Sequence, residues 1–167
     1  DPALREKYTK SGYWVNIRLI RYSDVVLMAA EAACELGDNT SARRYLEMVR
    51  ARARGTNANI LPEVTTDNQS ELREAIRHER RVELAYEDFR FFDIRRWRIA
   101  EDVCNEYIQG YDVTKGKDGG FYTIVNVGDR MVFEKKHYLF PLATAEILMN
   151  PALEQNPGWP KLSTATN

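Results

Sequence analysis

Glu79-Arg80-Arg81-Val82-Glu83-Leu84-Ala85-Tyr86-Glu87-Asp88-Phe89-Arg90-Phe91-Phe92-Asp93-Ile94-Arg95-Arg96-Trp97 sets acids where a helix should carry its core side chains. With Leu72 as origin and about 100° per residue, Ala75, Ile76, Val82 and Tyr86 share one side of the projection, and Glu79 and Glu83 fall in its middle. An unpaired buried charge is costly, so these carboxylates require cationic partners. Arg90, Arg95 and Arg96 follow closely, with Asp93 among them. The stretch therefore reads as an internal ion-pair clamp between two helices, built from Glu79, Glu83, Arg90, Asp93, Arg95 and Arg96.

Helical spacing extends upstream. Tyr22, Val25, Val26, Ala29, Ala32, Ala33 and Leu36 recur at helical intervals, and Gly37 stands where a helix-ending glycine is favoured. Ser41 to Arg54 forms a second stripe ended by Gly55. These two helices pair as a short hairpin resembling one tetratricopeptide (TPR) unit, with small Ala30 and Ala42 permitting close approach. One such unit cannot bury its own face, so further helices must pack on it. A third helix, capped by Asn68 or Ser70, is expected to reach Glu87, and a fourth to run from about Phe91 to Tyr107.

Lys115 to Gly120 then reads as a tip. Phe121–Val127 and Met131–Phe140, joined by Gly128-Asp129, read as a small β-hairpin ended by Pro141. Thr144 is expected to cap a short helix to Met149, and the proline-rich tail after Asn150 to be an ordered wrap. The fold class is thus mainly α: a TPR-like hairpin, further packed helices, a small β-hairpin and an ordered C-terminal tail, in one domain over 1–167.

Three motifs carry a family resemblance. Arg21-Tyr22-Ser23-Asp24-Val25-Val26-Leu27-Met28-Ala29-Ala30-Glu31-Ala32, the Glu79-to-Trp97 stretch and the closing Asn150-Pro151-Ala152-Leu153-Glu154-Gln155-Asn156-Pro157-Gly158-Trp159 stand in the order seen in the C-terminal part of the SusD/RagB family. The chain resembles that family from about Ile20 to Trp159. The resemblance implies a Bacteroidetes outer-membrane lipoprotein at the cell surface. Such a protein binds glycans or other nutrients without catalysis and works with a SusC-type TonB-dependent transporter. It would need a signal and a lipidated cysteine near its start, which this chain does not carry, so the N-terminal half of such a parent is expected to be missing here. Any membrane attachment would then run through an anchor outside these residues.

Bulk composition points to an ordinary folded domain, with 167 residues, 44% hydrophobic and 29% charged. Its 24 basic and 25 acidic residues give a net charge of −1, and the arginines alternate with acids, which argues against a nucleic-acid partner. Cys34 and Cys104 follow no metal-ligand spacing. His78-Glu79 lacks the second histidine of a zinc helix, no Gly-rich loop follows a strand, and the serines lack nucleophile-elbow neighbours. No metal and no cofactor is expected.

Sugar-stacking aromatics are the remaining site signal. Trp97 and Trp159 read as packing anchors, which leaves the adjacent pair Tyr13 and Trp14 as the candidate ligand-binding residues. Two other classes stay open: a TPR-type protein-binding scaffold, and a glycoside hydrolase using paired carboxylates about 5 to 10 Å apart. Arginines beside the acids would hold them ionised, which suits ion pairs better than proton donation.

Overall fold

Helix α1 spans Tyr22–Glu35, following the apolar spacing from Tyr22 onward, in a computed structural model that describes residues 19–57, 59–112 and 123–161. The chain divides into two compact units, 1–89 and 90–167.

In the first unit, Gly37 closes α1 with φ 79°. Its N–H donates to the Cys34 carbonyl and the Asp38 N–H to the Ala33 carbonyl, the paired bonds of a Schellman end. Asp38 then opens helix α2 (Asn39–Arg54), its side chain accepting from the Ser41 N–H. With so short a joint, α2 folds back on α1 as a hairpin. Asn68 caps helix α3 (Gln69–Glu83) by accepting from the N–H groups of Ser70 and Glu71. Leu27, Ala30 and Cys34 from α1, Ala42, Leu46 and Val49 from α2, and Leu72 and Ile76 from α3 form one core. Ala30 and Ala42 are fully buried, as their small size and facing positions suggested.

Two expectations for α3 are corrected. The helix ends at Glu83 rather than Glu87, because Tyr86 and Asp88 take left-handed backbone angles of φ 63° and 64°. Val82 and Tyr86 are exposed, and the buried side instead carries Leu72, Ile76, Glu79 and Arg80. A projection weighted by apolar residues turned the face away from Arg80, whose burial depends on a partner contributed by α1.

The second unit departs further from its reading. The expected single helix breaks into α4 (Phe89–Arg96) and α5 (Ala100–Cys104). Arg98, at φ 58°, makes the break. Its N–H donates to the Arg95 carbonyl and that of Ile99 to the Ile94 carbonyl, again a Schellman end, but with arginine in the glycine position. Ile94, Ala100 and Phe133 form a small core, supported by Tyr138, whose hydroxyl accepts the Ala100 N–H.

Strand β1 (Gln109–Asp112) pairs antiparallel with β2 (Thr123–Asn126), in register from Gln109 opposite Asn126 to Asp112 opposite Thr123. The expected partner of the 121–127 run, residues 131–140, forms no strand; Lys135–Tyr138 is a 3₁₀ turn. The Asn105 side chain occupies both the N–H and the carbonyl of Phe133, which removes them from any ladder. The tail does the same to the residues that follow. The Trp159 indole N–H is shared between the Lys136 and Leu139 carbonyls, the Gln155 amide pairs with both backbone groups of Leu142, and Asn156 donates to the Phe140 carbonyl. Gly158, at φ 84°, leaves no space for a Cβ, which would lie 2.8 Å from that of Lys136. Helix α6 (Thr144–Met149) starts after Ala143, without the side-chain cap expected of Thr144.

Candidate functional site

Charge is concentrated where the three helices of the first unit meet. Asp24 on α1 and Arg80 on α3 are both buried and bond at 2.5 Å. Glu79, 5% exposed, accepts from Arg50 of α2 at 2.6 Å. Glu83 accepts from Arg21 at 2.5 Å and from Arg52 at 2.7 Å. Arg21 also holds Glu87 at 2.8 Å and donates to the Ser23 hydroxyl and the Glu83 carbonyl. Glu79, Arg80, Glu83 and Glu87 of the motif are therefore tied to α1, α2 and the residue that precedes α1.

That is a correction to the partners inferred from the sequence. Proximity along the chain pointed downstream, to Arg90, Arg95 and Arg96; the ion pairs described for Glu79 and Glu83 come from upstream, at Arg50, Arg21 and Arg52. The reason is geometric: α3 lies against α1 and α2, so side chains on those helices reach its buried face. Among the downstream residues, Arg96 pairs with buried Asp93 at 2.9 Å, one helical turn away. Arg95 lies 3.6 Å from the centre of the Phe91 ring and donates to the Phe91 carbonyl. Arg90 is half-buried at the start of the second unit. Trp97 and Trp159 are half-buried, and Tyr13 and Trp14 lie outside the described residues.

Sequence reading missed Asp24, Arg50 and Arg80, although the signal was there. Asp24 lies three residues before Leu27, and Arg80 lies four after Ile76, each on the apolar stripe of its helix. An acid and a base on two facing stripes are a pair waiting for the helices to dock. A second missed pattern is the row Asn39, Arg43, Arg50 and Arg54 on one side of α2. These donate in turn to the carbonyls of Asp67, Thr66, Pro62 and Leu61, so the returning loop is pinned along the helix. Arg43 also pairs with Asp67, and Arg54 with Glu47.

This arrangement favours the ionised form of Glu83. Burial pushes its carboxyl up, but hydrogen bonds from Arg21 and Ser23 and the charges of Arg21 and Arg52 outweigh burial and hold it below the usual glutamate range. The Glu87 hydrogen bond, against the opposing effect of burial, and Glu83 in turn raise the Arg21 guanidinium above its ordinary value. A carboxylate so held accepts hydrogen bonds and does not donate protons. Between the depressed folded value and the ordinary unfolded one, the unfolded chain binds more protons, so stability rises with pH there. Glu83's contribution is expected to be intact above the ordinary glutamate range and to disappear as pH falls through its folded value. Denaturant unfolding of the chain and of Glu83→Gln across acidic pH checks this; parallel pH curves for the two would reject it.

Among the described residues no group of three or more His, Cys, Asp and Glu is placed to hold a metal, and no helix is long and apolar enough to cross a membrane. Burial pushes the Cys34 thiol up, the opposite of what a reactive thiolate needs.

Residues 3–159 match the profile of the SusD family. The chain is 31% identical to SusD-like protein P2 of Formosa agariphila over 144 residues, covering 84% of this chain and 25% of that protein. The crystal structure of a SusD-like protein from Bacteroides fragilis superposes with a TM-score of 0.74 at 32% identity, over 86% of this chain and 26% of the other. A second structure from that species, described as a SusD-like carbohydrate binding protein, gives a TM-score of 0.64 at 33% identity, over 79% and 27%. The chain spans about a quarter of the length of the curated relatives P2 and P38 that it matches.

Proposed function

The chain belongs to the SusD family, and on that footing we propose that it is the C-terminal scaffold of a cell-surface glycan-binding protein. The whole protein would bind an oligosaccharide or other nutrient and pass it to a SusC-type TonB-dependent outer-membrane transporter, with a lipid anchor as its membrane attachment. The observation that carries this reading is the match of the family profile over nearly the whole chain, together with likeness to a relative described as carbohydrate binding. Site chemistry supports binding over hydrolysis. A glycosidase needs one carboxyl poised to give a proton and a second facing the sugar; here Glu79 and Glu83 are enclosed by Arg50, Arg21 and Arg52.

Most of the parent's ligand contacts, on this reading, lie outside these residues. Calorimetric titration of the chain beside its full-length parent, with the parent's own glycan, is the test. The parent is expected to bind and to return the glycan uncleaved by chromatography, while the chain alone binds far more weakly. Association costs translational and rotational freedom that one or two aromatic contacts do not offset. Cleavage of the glycan, or a parent that binds no glycan, would overturn the reading.

A further inference from the structure

Beside the β1–β2 hairpin in the second unit lies an open hollow of about 320 Å³, lined by Asn105, Glu106, Tyr107, Gln109, Asn126 and Arg130. Its frame is firmly tied. The Val127 N–H donates to the Ile108 carbonyl at 2.7 Å, extending the ladder beyond the Gln109–Asn126 pair. Asn105 holds both backbone groups of Phe133, and Arg130 Nε donates to the Asn105 carbonyl at 2.7 Å.

The groups facing the hollow are less committed. Gln109 and Asn126 stand directly opposite one another in the antiparallel register, so their carboxamides project from the same face of the hairpin. Among the described residues neither amide, nor the Glu106 carboxylate, has a protein partner. Tyr107 leaves half its surface exposed at the same hollow.

We propose that this hollow is a saccharide subsite, a reading that rests on the glycan-binding function proposed above and assigns part of it to this chain. The volume is at the lower end for ligand pockets and suits a short saccharide. A sugar ring presents neighbouring hydroxyls, each both donor and acceptor, and one face of C–H groups. Two adjacent carboxamides offer both hydrogen-bonding roles at close spacing, Glu106 adds an acceptor, and the outer nitrogens of Arg130 add donors. The Tyr107 ring offers the C–H face an apolar surface. An apolar ligand would leave these polar groups without partners, and an anionic one would meet Glu106.

Two-dimensional ¹H–¹⁵N NMR of the chain, titrated separately with maltose, cellobiose, laminaribiose, lactose, xylobiose and mannobiose, tests the assignment. At least one disaccharide is expected to shift the amide signals of Tyr107, Gln109 and Asn126, with affinity in the millimolar range suited to so open a site. Tyr107→Ala, and the double variant Gln109→Ala with Asn126→Ala, should each weaken that binding by about fivefold or more. Both change exposed side chains outside the cores and leave the backbone ladder in place; dispersed spectra would establish their folding. Shifts confined to other residues, unchanged affinity in both variants, or silence from all six sugars would overturn the subsite. The same sugars and the parent's own glycan, titrated against the full-length parent, separate the two failures. A parent that binds while the hollow stays silent rejects the subsite alone, and a parent that binds nothing rejects the family reading with it.

Discussion

Replacing Arg80 with alanine is expected to cost about 3–5 kcal/mol, the range found when one member of a buried ion pair is removed. Asp24 and Arg80 are 4% and 5% exposed at their side chains and bond at 2.5 Å, so truncation leaves a carboxylate enclosed by the core of the first unit. Domains of this kind are stable by only about 5–15 kcal/mol, so the variant should lose about a fifth or more of its stability. The chemical denaturation midpoint of the chain measures it. A companion variant, Asp24→Leu with Arg80→Met, removes both charges and keeps the volume filled, and should recover most of the loss. A midpoint shift in Arg80→Ala worth less than about 1 kcal/mol would place the pair with surface ion pairs, contrary to its burial.

Glu79→Ala is expected to cost about 3 kcal/mol, because Arg50 would lose its carboxylate partner in a nearly enclosed position. Among the described residues Arg50 Nε has no hydrogen-bond partner, and the other bond of this side chain goes to the Pro62 carbonyl. Glu79→Gln keeps the shape and one acceptor and should cost about half as much. A second readout follows from the geometry. With Arg50 released, the loop over residues 61–67 loses one of its ties to α2, so limited proteolysis should cut it faster in Glu79→Ala than in a surface control such as Glu74→Ala. Equal cutting rates with equal stabilities would show that Glu79 does not hold this part of the fold.

Of these two residues Glu79 was legible as a buried acid and Arg80 was not, and the partners of neither were. The apolar spacing from Tyr22, the helix-ending glycines at 37 and 55 and the asparagine before Gln69 are local signals, decided within a turn or two of backbone, and they located α1, α2 and the start of α3. That Glu79 needed a partner was equally local, since an acid on a buried stripe carries its own desolvation cost.

What the amino-acid order alone determined, then, was a mainly helical chain with three family motifs and carboxylates that had to be paired. Which arginine answers which acid was decided only when α1 and α2 docked on α3, because the pairs Asp24–Arg80, Glu79–Arg50 and Glu83–Arg21 join residues dozens of positions apart. The same holds in the second unit. The run at 131–140 has the composition of a strand, yet Asn105 and the tail residues Asn156 and Trp159 take up much of its backbone hydrogen bonding, and β2 pairs with β1 instead. Helix ends are set by neighbours in sequence. Ion pairs and strand pairing are set by neighbours in space, and no residue's intrinsic preference specifies those before the chain has folded.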